Sequence, residues 1–200
     1  DTLLALTAES SDCALSIVEQ PPLNGTKVAV WIYLQTKVQT QMLHNGLFEV
    51  KHGPYRHLWG GSSFNRAANS EYQTRLLLND YVMQLIEQGC KLAANCIRTW
   101  FFVQNVDVNY AGVVKARNEV FVTQNLTEKT HYISSTGIGG RHADPKVLVQ
   151  MDTYAVGGIK PEQIHFLYAP THLNPTYEYG VSFERGTYVD YGDRRQVFIS

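Results

Sequence analysis

Residues 95–158, NCIRTWFFVQNVDVNYAGVVKARNEVFVTQNLTEKTHYISSTGIGGRHADPKVLVQMDTYAVGG, decide the fold. In order they read as strand, helix, strand, turn, strand. Cys96–Val103 is rich in aromatic and β-branched residues, which suit a pleated, covered surface. The polar run Gln104–Asn109 breaks that pattern. From Tyr110 the apolar period becomes helical, with Tyr110, Val113, Val114, Val120 and Phe121 on one face. After Asn125 the pattern predicts strands at His131–Ser134 and Val147–Val156, joined by the glycine-rich turn STGIGGR. A helix between two strands of one sheet must cross back over that sheet, and its apolar face sets which side is buried.

Working outward, Lys27–Leu34 (KVAVWIYL) reads as the first strand, and Leu47–Ser62 as a second with Tyr55, His57 and Trp59 on alternate positions. Ser70 starts a helix, with Ser70 and Gln73 as a capping box and Glu71 four residues before Arg75. Tyr72, Leu76, Tyr81, Leu85 and Ile86, helped by Leu77, Leu78 and Val82, make its apolar stripe. Gly89 is placed to end it. Beyond Gly157-Gly158 the character changes. IHFLYA lies between two prolines, Asn174-Pro175 marks a turn, and Tyr179–Arg185 and Thr187–Ser200 read as strands. The division expected is an extension over 1–26, a domain over 27–158, and a linker with the incomplete start of a second domain over 159–200. The elements of the main domain run β-β-α-β-α-β-β, an α+β arrangement whose two helices cover one face of one sheet.

Composition narrows the function classes. The 200 residues are 44% hydrophobic and carry a net charge of −1, without a long charge run. Nothing here favours a general attraction for nucleic acid or an anionic membrane. No apolar run reaches the length of a membrane span. The opening segment lacks an initiator Met and a basic n-region, so it reads as neither an intact signal peptide nor an anchor. Three cysteines, Cys13, Cys90 and Cys96, form no paired framework, which favours a reducing, cytoplasmic setting.

The strand CIRTWFFVQNV, the helix NYAGVVKARNEVF and the closing strand VLVQMDTYAV, in this element order, resemble the Rid or YjgF family. Members of that family often carry the names endoribonuclease L-PSP and translation inhibitor. YGVSFERGTYVDYGDRRQVFIS is similar to the opening of a second copy, as in the tandem, chorismatase-like branch. The resemblance implies a chorismate-mutase-like fold, assembly as a trimer or pseudo-trimer, and small-molecule sites in clefts between copies. It also implies an arginine after the second helix that holds a substrate carboxylate, and a carboxylate on the last strand that positions a water attacking an imine. Asp152 falls where the family has Glu. The arginine position falls at about Ser135-Thr136, where neither residue is basic, which argues against deamination of 2-imino acids by the first copy. Arg141 lies a few residues on.

The residues themselves add candidates. In Ser135–Arg141 the glycines permit backbone N–H groups to converge on an anion, with Thr136, Gly137 and Arg141 as the core of the site; a plain hairpin turn is the alternative. Arg117 sits on an apolar helical stripe and must snorkel outward or meet an acid, a carbonyl or a ligand. Arg98 poses the same question on its strand. Alternation sends Arg194 and Arg195 to opposite faces, so at most one is a cleft clamp. Tyr177, Tyr179 and Tyr188 are placed to frame an aromatic pocket or to pack on a ribbon. The seven histidines show no ligand spacing, so no metal, cofactor or covalent nucleophile is expected.

These readings converge on an enzyme for a small anionic metabolite, an enolpyruvyl compound or an imine. Asp152 and Arg141 are its catalytic pair, and Arg194, Arg195, Arg117, Thr136, Gly137 and Tyr179 bind substrate. A binding module without turnover is the alternative, and a ribonuclease the least favoured.

Overall fold

The computed structural model describes residues 13–200. A six-stranded sheet has the order β1-β2-β3-β6-β4-β5, built from β1 (Gln39–Met42), β2 (Phe48–His52), β3 (Tyr55–Phe64), β4 (Cys96–Val103), β5 (Ser134–Gly139) and β6 (Val149–Gly157). Helix α1 (Ser70–Glu87), the short α2 (Leu92–Asn95) and α3 (Val106–Thr123) complete the unit. The expected β-β-α-β-α-β-β core is β2-β3-α1-β4-α3-β5-β6, with β1 as an added edge. All pairs are antiparallel except β4 with β5, and α3 supplies the crossover that a parallel pair needs. Leu47, Leu58, Leu78, Phe101, Phe121 and Met151 belong to the core between the sheet and the helices.

Several elements differ from the sequence reading for identifiable reasons. Lys27–Leu34 has strand-like composition but pairs with no strand among the described residues; it runs as exposed coil, with Trp31 77% accessible. The edge beside β2 is taken by Gln39–Met42 instead, and Leu47–Ser62 is a hairpin rather than one strand. A strand is completed by a partner edge, which composition does not specify. The glycine-rich STGIGG is not a turn. It is β5, paired residue by residue with β4 from Arg98–Ser134 to Val103–Gly139. Helix α3 begins at Val106 with Asn105 in the left-handed region as its N-cap, four residues before the helical period becomes visible.

The N-cap of α1 is Asn69, whose side chain accepts from the Tyr72 N–H, and not Ser70. Gln73 has a different task. It is fully buried, donates to the Ala67 and Lys146 carbonyls (both 2.9 Å), and accepts from the Leu148 and Val149 N–H groups (2.8 and 3.1 Å). The helix is turned to present Gln73, Thr74, Leu77 and Leu78 inward, leaving Tyr72, Leu76 and Ile86 exposed. Gly112 lets α3 approach α1 closely: a Cβ there would meet Ser70 Oγ at 2.4 Å.

Residues after 158 form a second, three-stranded antiparallel sheet of β7 (Ile164–Leu167), β8 (Gly186–Asp190) and β9 (Arg195–Ile199). It packs on the face of the large sheet opposite the helices, where Ile97, Tyr154 and Val156 meet Val189, Tyr191 and Phe198. A bridge between Ser134 and Glu184 joins the two sheets.

Because all four polar positions of Gln73 are satisfied in the core, Gln73→Ala leaves buried backbone groups unpaired. It is expected to lower the unfolding free energy by about 2–4 kcal/mol. A urea titration with an unchanged slope checks it.

Candidate functional site

Register alone places the residues of the sheet's outer face, the one covered by β7–β9. One row runs Ser134, Arg98, Tyr154, Trp59 across β5, β4, β6 and β3; the next runs Thr136, Trp100, Asp152. Arg98 is 4% exposed. One of its nitrogens donates to Thr136 Oγ1, another to Ser200 Oγ at 2.5 Å, and its plane lies 5.0 Å from the centre of the Trp100 ring. No carboxylate pairs with it among the described residues, and burial pushes its pKa down to about 10. A guanidinium held by two hydroxyls and a ring, with no counter-charge among the described residues, has the chemistry to take a carboxylate.

Asp152 stands across Trp100 from this clamp. Its Oδ1 accepts from the Ser62 N–H at 2.8 Å, and burial holds its carboxyl above the usual range. A bulge in β3 between Gly60 and Ser63, with Ser62 in the left-handed region (φ 53°), aims that N–H. The N-terminal strap crosses here as well. Ser16 hydrogen-bonds Asp152 and receives Gln150 Nε2 (3.1 Å), and the Ile17 N–H donates to Ser62 Oγ (3.1 Å).

The structure does not bring the expected catalytic pair together. Arg141 is exposed, pairs with Glu19 on the strap at 2.7 Å, and has no hydrogen bond or ion pair with Asp152. Gly137 holds no anion nest, because its backbone is extended in β5 and the Tyr110 ring lies where a Cβ would sit, 2.4 Å away. Arg194 and Arg195 diverge as alternation requires. Arg194 stacks 4.7 Å from the Tyr191 ring centre and donates to His52 Nδ1 (3.1 Å), while Arg195 pairs with Asp190 (2.8 Å) over Tyr188. Neither reaches Asp152 or Thr136. Arg117 is buried on the opposite, helix-covered face. Tyr179 ends a short 3-10 turn, and its side chain lies outside what the structure describes. Of the expected residues, Asp152 and Thr136 share the cleft. Arg98 and Trp100 complete it, and the signal for them was an arginine alternating with a tryptophan in CIRTWFFV.

Two open depressions, of about 440 and 350 Å³, lie elsewhere: one is lined by Lys37, Gln39 and Lys51, and the other touches the site only through Ser62. Neither depression is lined by Arg98, Trp100, Thr136 or Asp152. Among the described residues no group of three His, Cys, Asp or Glu side chains is arranged to hold a metal.

The structure of chorismatase superposes on 82% of this chain with a TM-score of 0.56 at 19% identity. The chain has its fold. That superposition spans 49% of the chorismatase chain. Single-domain proteins align less fully: E. coli TdcF with bound serine over 64% of this chain and 91% of its own (TM-score 0.46, 15% identity), and the E. coli YjgF gene product over 54% and 84% (0.45, 16%). No protein-family model and no curated protein matches the sequence. The mixed α+β, chorismate-mutase-like architecture that this chain shares with chorismatase is therefore its fold.

Between the sheets, His57 Nδ1 lies 2.7 Å from the Tyr154 hydroxyl, which donates to Gln196 Oε1 (3.0 Å) and adjoins the Tyr191 hydroxyl (3.1 Å). A neutral His57 protonated at Nδ1 satisfies this cluster. Burial, with Arg194 and His52 nearby, pushes its pKa from 6.5 to about 4. The unfolded chain binds this proton first as pH falls, so stability is complete above about pH 6.5 and is lost progressively as pH drops through about 4. Unfolding titrations across this range should show that loss, and His57→Phe should flatten it.

Proposed function

We propose that this chain is a Rid/YjgF-like, chorismatase-related protein acting on a small anionic metabolite, an enolpyruvyl compound or an imine, in the cleft between its two sheets. The observation that carries the reading is Arg98: a buried guanidinium without an acid among the described residues, on one face with a carboxyl of raised pKa. Arg98 clamps the substrate carboxylate, Trp100 supplies a flat apolar wall, Thr136 orients the clamp, and Asp152 transfers a proton to or from the reacting group or its attacking water. In this reading residues 159–200 open a second copy of the fold, which supplies the cover of the cleft. The protein works in the cytoplasm as a trimer or pseudo-trimer.

A second reading, binding without turnover, is favoured by one contact: Asp152 is occupied by the Ser62 N–H and by Ser16 of the strap. A ribonuclease role has no comparable support, since neither the net charge nor this cleft offers a phosphate-tracking surface.

The test is consumption of chorismate, and of 2-imino acids generated in situ, by the full-length protein, with binding measured by calorimetry. Arg98→Ala should weaken binding roughly a hundredfold, as expected for loss of a charge-assisted clamp. Asp152→Asn should abolish turnover while binding persists. Binding of both anions unchanged in Arg98→Ala would remove this cleft as the site. Binding without turnover would select the second reading.

A further inference from the structure

The opposite face of the same edge strand carries a second buried cation, which the cleft does not use. Arg117, on α3, is fully buried and is the largest such side chain among the described residues. Its Nη1 donates to Ser135 Oγ at a long 3.3 Å, the Tyr110 phenol adjoins it, and the Phe183 ring centre lies 5.8 Å from its Cζ. By hydrogen-bond geometry Nε and Nη2 have no partner among the described residues, the Tyr110 phenol being the one polar side chain besides Ser135 that interacts with the group. No carboxylate pairs with it among the described residues; Glu184, beside Phe183 in the chain, has its Oε1 on the Tyr132 N–H at 2.8 Å.

The two bare nitrogens share one edge of the guanidinium. That edge is the fork that matches two oxygens of a planar oxyanion. Burying a charge in a medium of low polarity without a partner costs several kcal/mol, so the site is incomplete as protein alone. Ser135 Oγ is already engaged by Thr99 Oγ1 at 2.8 Å, which leaves it a poor substitute for an anion. We infer that Arg117 binds a small carboxylate-like anion of formate or acetate size on its Nε/Nη2 edge, between α3, β5 and the 180–185 segment. Bound there, the anion ties the segment that leads into β8 to the first sheet. The site is separate from the Arg98 cleft: Ser135 faces one arginine and Thr136 the other, on opposite sides of β5.

The test is thermal unfolding of the full-length protein in sodium formate against sodium chloride at matched ionic strength. The wild type should gain roughly 5–10 °C at a hundredfold excess over half-saturation. Arg117→Met should lose the gain, and Arg117→Lys, which keeps the charge without the fork, should need at least tenfold more formate. Because formate can also meet the Arg98 guanidinium, the comparison is repeated in an Arg98→Ala background, where a gain should remain and Arg117→Met should remove it, which separates this site from the cleft. The Arg117 Nε–H resonance of the wild type should move with formate, a readout that stands even if the Met variant does not fold. Equal gains in chloride, a gain that survives Arg117→Met in the Arg98→Ala background or is absent from Arg98→Ala itself, or an Nε–H resonance that ignores formate would each overturn the inference.

Discussion

Parallel pairing of β4 with β5 is the constraint on which the rest depends. Two parallel neighbours cannot be joined by a tight turn, so the chain between them must travel the length of the sheet. Here α3 makes that journey and covers one face. The neighbour on the other side of β4 is then the antiparallel β6, which carries Asp152 into the row of Trp100 and Thr136. As the outermost strand, β5 has only one pairing partner along its length. Its alternate side chains go to two different environments, Ser135 toward the helices and Thr136 toward the second sheet.

The charges follow from this arrangement. Glu49 shows how the molecule treats a buried charge it intends to neutralise: Arg56, Lys51 and Gln41 all converge on it, and its pKa is lowered despite burial. Arg98 and Arg117 receive hydroxyls and rings instead. Both guanidinium groups are desolvated, and burial lowers the pKa of each.

The second sheet and the strap close the outer face in complementary ways. Tyr191, Phe198 and Gln196 seal it with an aromatic and hydrogen-bonded layer around Tyr154 and His57, while the strap lies over Asp152 and Gln150 through a few hydrogen bonds and the exposed Glu19–Arg141 pair. Exposed pairs of this kind contribute little to stability. The strap is thus the weaker of the two covers, and the one over the carboxyl.

By itself the sequence determined what is local or periodic. Cys96–Val103 was legible as a strand because aromatic and β-branched residues cluster there, α1 because its apolar positions and Gly89 bound it, and Asp152 as a candidate because it falls where the resembled Rid/YjgF family has Glu. Only the tertiary structure decided what depends on partners. Lys27–Leu34 has the right composition for a strand but pairs with no strand among the described residues, and SSTGIG, glycine-rich like a turn, has a partner in β4. Gln73 is buried because four backbone groups from distant loops come to it. Arg98 outranks Arg141 and Arg194 because register sets it one row from both Thr136 and Asp152, while exposed acids draw the other two away. Spacing along a chain reports periodicity. Which edge is free, and which charge lacks a counter-charge, are properties of the packed whole.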